Sequence, residues 1–184
     1  MKPFLSIALA LALGGAALQA DAAVISSGLD AGSYTQSGSW AGHNAQSAFN
    51  GGGWNSGNWG TQWIQVDLGS TQAISGLHFR LDQLPAGVTW HQIFVSDTAI
   101  GGSWSALSAV ASRSGWSNNG ELENFSFSAT GRYVEIVANG GPSWTALGEV
   151  QVFGPDATVP EPATYLLSLL GLGLAGLAAK RRKA

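Results

Sequence analysis

Cysteine is absent from this 184-residue chain, and charge is scarce: Asp, Glu, Lys and Arg make up 10% of it. Without cysteine there is no disulfide scaffold, no thiolate nucleophile and no thiolate zinc site. Basic residues are scarcer than the total suggests, because Lys2, Lys180, Arg181, Arg182 and Lys183 lie at the two ends. From Ala23 to Thr158 only Arg80, Arg113 and Arg132 face nine carboxylates, a net charge of −6. A stretch this acidic has no electrostatic footprint for nucleic acid, and anionic lipid is equally unsuited to it. The three histidines, His43, His78 and His91, are too far apart to read as a zinc cluster.

The ends of the chain read as addresses. Lys2, an apolar stretch from Phe4 to Leu18 and a small-x-small Ala20-Asp21-Ala22 form a secretory signal peptide over residues 1–22. At the other end come Val159-Pro160-Glu161-Pro162, an apolar run from Ala163 to Ala179, and Lys180-Arg181-Arg182-Lys183. As a helix that run spans about 25 Å at ~1.5 Å per residue, slightly less than the ~30 Å hydrocarbon layer. The basic tail should stay cytoplasmic and leave everything upstream on the far side of the membrane. With its motif Pro160, Glu161 and Pro162, the tail resembles the PEP-CTERM sorting signal of Gram-negative bacteria that make exopolysaccharide. That resemblance implies an inner-membrane anchor before processing, cutting by an exosortase, and release or attachment outside. An ordinary transmembrane anchor is the plainer reading of the same residues.

What remains, residues 24–154, suffices for one domain, with a linker from 155 onward. All eight tryptophans and most of the 26 glycines fall in this middle part. Trp63 to Gly69 alternates apolar and polar residues and stops at glycine, which predicts a half-buried strand. Further strands are expected over 73–79, 88–96, 123–128, 133–138 and 149–153, with turns at Asn50-Gly51, Asn119-Gly120 and Asn139-Gly140. No 3.6-residue apolar period is sustained, so the fold expected is all-β, an antiparallel sandwich or jelly roll.

Three stretches carry a second resemblance. They are Ala48-Phe49-Asn50-Gly51 with the strand from Trp63 to Gly69; Ile93-Phe94-Val95-Ser96-Asp97 with Trp104; and Gly131 to Ile136 with Ala146 to Gly154. In order and spacing the set resembles the discoidin domain, also called the coagulation factor five/eight type C domain. The resemblance implies a single galactose-binding-like β-sandwich jelly roll over 24–154. Ile64, Val66, Leu68, Tyr133, Val134, Ile136, Val150 and Val152 look like its core. Arg132 reads either as the ion-pair partner of Asp67 or as a ligand contact. Bacterial carbohydrate-binding members commonly hold a structural calcium. Here Glu149 matches the late glutamate of that site, and Asn50 stands where an aspartate is usual. The uncharged Asn50 should weaken the site. The alternative is a plain turn, with Glu149 facing solvent or paired to an arginine.

Ligand recognition is expected from the tryptophans. Gly38-Ser39-Trp40, Gly57-Asn58-Trp59, Gly102-Ser103-Trp104, Ser114-Gly115-Trp116 and Pro142-Ser143-Trp144 share an approach of small residues. Loops that present indoles suit sugars, because a pyranose has an apolar face that stacks on a ring. Trp40, Trp54, Trp59 and Trp116 are the ligand-binding candidates, with His43 as a neighbour. Trp63, Trp90 and Trp104 are expected to pack on the sandwich. No nucleophile elbow and no phosphate loop is present, and nothing builds a cleft between Glu121 and Glu123, so no enzyme is expected. Two readings remain: a non-catalytic, lectin-like carbohydrate-binding protein of the envelope or matrix, or a structural matrix protein acting through protein contacts.

Overall fold

A computed structural model describes residues 22–156; the signal peptide and the sorting tail expected from the sequence lie outside the described residues. The organising pair is β4 (Thr61–Leu81) and β7 (Leu122–Asn139), antiparallel from Thr61 opposite Asn139 to Arg80 opposite Leu122. The sequence predicts each as two strands. They are continuous because the interruptions are bulges, with register shifts between Asp67 and Gln72 and between Ile74 and Gly76. At the first, the Gly69 N–H donates to Asp67 Oδ1 at 2.8 Å and Gly69 takes φ 79°. At the second, a side chain on Gly76 would strike the Phe125 carbonyl, so glycine is required there.

Each arm of the long pair gathers its own neighbours. β2 (Tyr34–Gln36) lies along the first arm of β4, while β5 (Gly87–Ser96) pairs with β7 and β6 (Ala111–Ser117) with β5. β8 (Ala146–Asp156) lies along the second arm of β4 and carries β1 (Ala22–Val24) and β3 (Gly53–Asn55). All these pairings are antiparallel. Ile64, Val66, Ile93, Val134 and Ile136 from the first arm share one core with Leu77, Phe79, Val150 and Val152 from the second. One core between two arms makes them the layers of a sandwich.

The short α1 (Ala45–Phe49) plugs one side of that core with Ala45, Ala48 and Phe49; its cap is Asn44, whose side chain accepts from the Ser47 N–H at 2.9 Å. Five residues are too few to show a helical period, which is why the sequence hides it. Tyr133, expected in the core, is instead half-buried, since it has the opposite strand parity from Val134 and Ile136. The Arg132 guanidinium lies 5.1 Å from its ring centroid and grips Asp67 with two bonds of 2.7 and 2.8 Å. The ion-pair reading of Arg132 therefore holds, and the pair keeps the Asp67 carboxyl below the usual carboxylate range.

The outer face of the first layer carries a second cluster. Phe94, Ile100 and Val137 pack there with Trp63, Trp90 and Trp104, the three tryptophans expected to pack on the sandwich. Beneath the same loop, Gln65 Oε1 accepts from the Ile100 and Gly101 N–H groups (2.8 and 3.1 Å), and Glu135 Oε2 accepts from the Gly102 N–H (3.1 Å).

Candidate functional site

Three loops converge at the end of the sandwich where β4 begins and β7 ends. The Trp40 N–H donates to the Asn55 carbonyl (2.9 Å), and the Asn55 N–H donates back to the His43 carbonyl (3.1 Å). The third loop is tied in by Thr145, whose N–H donates to Asn58 O (3.2 Å) and whose hydroxyl donates to Gly60 O (2.9 Å). Thr145 is buried, so these bonds fix the relation of the segments around 40, 58 and 144.

The aromatic groups meet on this base. A two-residue turn through Ala41 (φ 49°) and Gly42 (φ 86°) brings Trp40 and His43 opposite each other as a bridge. Positive φ at both central residues is the geometry of a tight hairpin, and Ala41 holds it against its own side chain. The two rings are nearly parallel, with centroids 6.1 Å apart. Trp144 stands edge-on to Trp40 with centroids 5.8 Å apart and planes at 60°. Trp40 remains 49% exposed, and Trp59, on the neighbouring loop, 62% exposed. Residues 36–44, 53–62 and 139–146 contain no Asp, Glu, Lys or Arg. The surface can stack and hydrogen-bond an uncharged ligand, and it supplies no carboxylate or thiol for chemistry.

Of the ligand-binding candidates, Trp40, His43 and Trp59 fall at this end. Trp54 is a correction. It is fully buried in the core, with its indole N–H donating to the Gly38 carbonyl at 2.8 Å, so it has no face to offer a ligand. The pairing of β3 with β8, which sets Trp54 opposite Leu147, turns it inward. Trp116 is 62% exposed but stands on the edge strand β6, opposite Val88. Trp144 was not among the candidates, although its Pro142-Ser143-Trp144 approach carried the same signal as theirs.

Asn50 and Glu149 do lie beside one turn, where the Glu149 N–H donates to Gly52 O at 2.8 Å. Their side chains are engaged otherwise. Asn50 Oδ1 accepts from the Gly28 N–H (2.8 Å) while its Nδ2 donates to Gln46 O (2.8 Å). Glu149 Oε2 accepts from Arg80 Nε at 3.0 Å, the arginine pairing named as an alternative above. Calcium takes six to eight oxygens, and a guanidinium on the Glu149 carboxylate opposes a dication. Among the described residues no three of His, Cys, Asp and Glu gather as metal ligands. In this arrangement the residues do not fit a calcium ion. Glu123 is likewise paired with Arg113, at 2.6 Å, and Glu121 caps the Asn118 N–H at 3.1 Å.

An antiparallel sandwich with aromatic, uncharged loops at one end places the chain among β-sandwich modules that present loops at one end. Residues 30–150 match the F5/8 type C domain, and residues 158–183 match the PEP-CTERM protein-sorting motif. The chain belongs to the F5/8 type C domain family and ends in a PEP-CTERM sorting motif. No curated protein sequence matches it. Among solved structures it is similar to chitosan-binding module 1 of the chitosanase/glucanase from Paenibacillus sp. IK-5. That module is 24% identical, with a TM-score of 0.55 over 72% of this chain and 99% of the module. It is also similar to CpGH89CBM32-4 from Clostridium perfringens, at 13% identity and a TM-score of 0.54 over 72% and 99% of the two chains. CpGH89CBM32-5 of the same organism, solved with GalNAc-β-1,3-galactose, is 18% identical with a TM-score of 0.52 over 66% and 94%. At these identities the likeness is one of fold.

Proposed function

We propose that this is an exported, non-catalytic, lectin-like protein of the cell envelope or exopolysaccharide matrix, which binds glycan through the loop end built on Trp40, His43 and Trp144. The observation that carries the reading is the convergence of three loops on two indoles and an imidazole in an uncharged setting. Indole faces stack on the apolar face of a pyranose, and the absence of formal charge favours a neutral sugar. The fold neighbours support glycan binding in general, since one is a chitosan-binding module and another was solved with a neutral disaccharide. The sorting motif supports export, an exosortase as processing partner and transient tenure in the inner membrane. Single-site affinity for sugar is weak in general, and display on a surface raises it through multivalency.

The test is a glycan array that includes the organism's own exopolysaccharide, probed with the full chain. Trp40→Ala and Trp144→Ala should each lose at least tenfold in affinity, about 1.4 kcal/mol, with the unfolding midpoint held. Binding that survives both substitutions intact refutes the loop-end site. An array blank throughout selects the structural matrix protein.

A further inference from the structure

Two tryptophans outside the loop end, Trp90 at the edge of the second cluster and the exposed Trp116, stand on the open part of the first layer. Strand parity puts Val88, Trp90, Gln92 and Phe94 on one face of β5. Phe94 packs with Val137 and Ile100, so this is the outer face that the loop around Ile100 and Trp104 covers. The cover stops short. Opposite Gln92, Trp90 and Val88, strand β6 sets Ser112, Ser114 and Trp116, all three exposed. The result is a groove of about 400 Å³ along Trp90, Gln92, Ser112 and Ser114, with the strand segments of His91 and Arg113 completing its lining.

We infer that this groove is a second carbohydrate site, one that takes a stretch of neutral polysaccharide chain along the sheet face. Three observations fix that chemistry. Trp90 lines the groove, and the exposed Trp116 is its diagonal neighbour across the β5–β6 pair, about 7–8 Å away between backbones by sheet geometry, so a second indole stands next to the groove. Between and beside them, the side chains of Gln92, Ser112 and Ser114 make no hydrogen bond among the described residues, which leaves donors and acceptors free for hydroxyl groups. No formal charge faces the groove. The Arg113 guanidinium turns to the other side, where it meets Glu123 at 2.6 Å and the Ser117 hydroxyl at 2.6 Å. The His91 ring lies 5.0 Å from that of Phe79, on the core side. An anionic or cationic chain finds no partner here, whereas a neutral one finds two stacking faces and three polar side chains.

Affinity electrophoresis of the full chain tests this, in gels containing a galactomannan, a dextran or hydroxyethyl cellulose. The Trp40→Ala/Trp144→Ala double variant should keep part of the retardation by at least one of these polysaccharides. Adding Ser114→Glu or Trp116→Ala, both at exposed positions, should lower that residual affinity at least threefold. Ser112→Ala, which removes a hydroxyl and no packing, should lower it less. Residual retardation indifferent to Ser114→Glu and Trp116→Ala overturns the second site and leaves the loop-end reading standing. Complete loss in the Trp40→Ala/Trp144→Ala variant also overturns it, as does the absence of retardation of the unsubstituted chain in all three gels.

Discussion

Trp54 and Trp59 sit in one glycine- and asparagine-rich stretch, and composition does not tell them apart. Environment does. Trp54 is fully enclosed by the core and gives its N–H to Gly38, whereas Trp59 is 62% exposed. Truncating a fully buried tryptophan removes its transfer free energy and opens a cavity. Trp54→Ala should therefore cost about 3–5 kcal/mol in denaturant unfolding, and Trp59→Ala no more than about 0.5 kcal/mol. Equal losses at the two positions would contradict the inward turn of β3. Glycan binding should respond in the reverse sense: a Trp54 variant that still folds binds at wild-type strength.

At the scale of elements, the first layer holds two buried titratable groups that lack a partner among the described residues on one atom each, His91 Nδ1 and Glu135 Oε1. Burial, helped by the Arg113 charge, pulls the His91 imidazole down to about 3. Burial pushes the Glu135 carboxyl up to about 7, against the hydrogen bonds from Gly102 and Gly101 that favour its charged form. The two act on stability in opposite directions. Unfolded His91 takes a proton near 6.5 and the folded residue does not, so its contribution is present above about 6.5 and falls as pH drops toward 3. Glu135 favours folding when protonated, so its contribution is present below about 4.5 and is lost as pH rises through about 7. Between pH 4.5 and 6.5 the two nearly offset each other. Glu135→Gln should expose a clear loss of stability as pH falls through that window, and His91→Gln a gain. Thermal melts at half-unit pH steps measure both, and parallel profiles for the two variants would refute the assignment.

The elements also show which parts of the sequence were legible. β4, β5, β7 and β8 alternate apolar and polar residues against a single core, so their strands could be read directly. The sequence divides 63–69 from 73–79 where the strand is continuous, because a bulge and a turn both use glycine. β6 was missed because Ser112, Ser114 and Trp116 face outward while Arg113 and Ser117 turn inward, which leaves no apolar alternation to detect. The loop end was half legible. Small residues before tryptophan marked Trp40, Trp59 and Trp144 alike, but the contact between Trp40 and Trp144 arises only where the ends of distant strands meet.

For the whole molecule, stability without a single cysteine has to come from the core and from the ties between its two layers. At the turn that the family resemblance assigned to calcium, side chains join neighbouring strands of the second layer to the loops beside them. Arg80 on β4 reaches Glu149 on β8 at 3.0 Å and the Gly120 carbonyl at 2.9 Å, while Asn50 holds the Gly28 N–H at 2.8 Å. Glu149 itself takes φ 47°, a left-handed conformation costly for a residue with a side chain, and its N–H is anchored on Gly52. A ligand that binds only the folded state raises stability by mass action, so calcium binding here would lift the unfolding temperature with concentration. We expect no such rise: melts of the full chain with millimolar calcium and with EDTA should agree within about 1 °C, roughly the effect of a few tenths of a kcal/mol. A calcium-dependent rise of several degrees would mean that Arg80 yields the Glu149 carboxylate to the ion. Arg80→Gln separates the two cases, since it should lower stability in EDTA only by the modest worth of a half-exposed ion pair, about 0.2–1 kcal/mol.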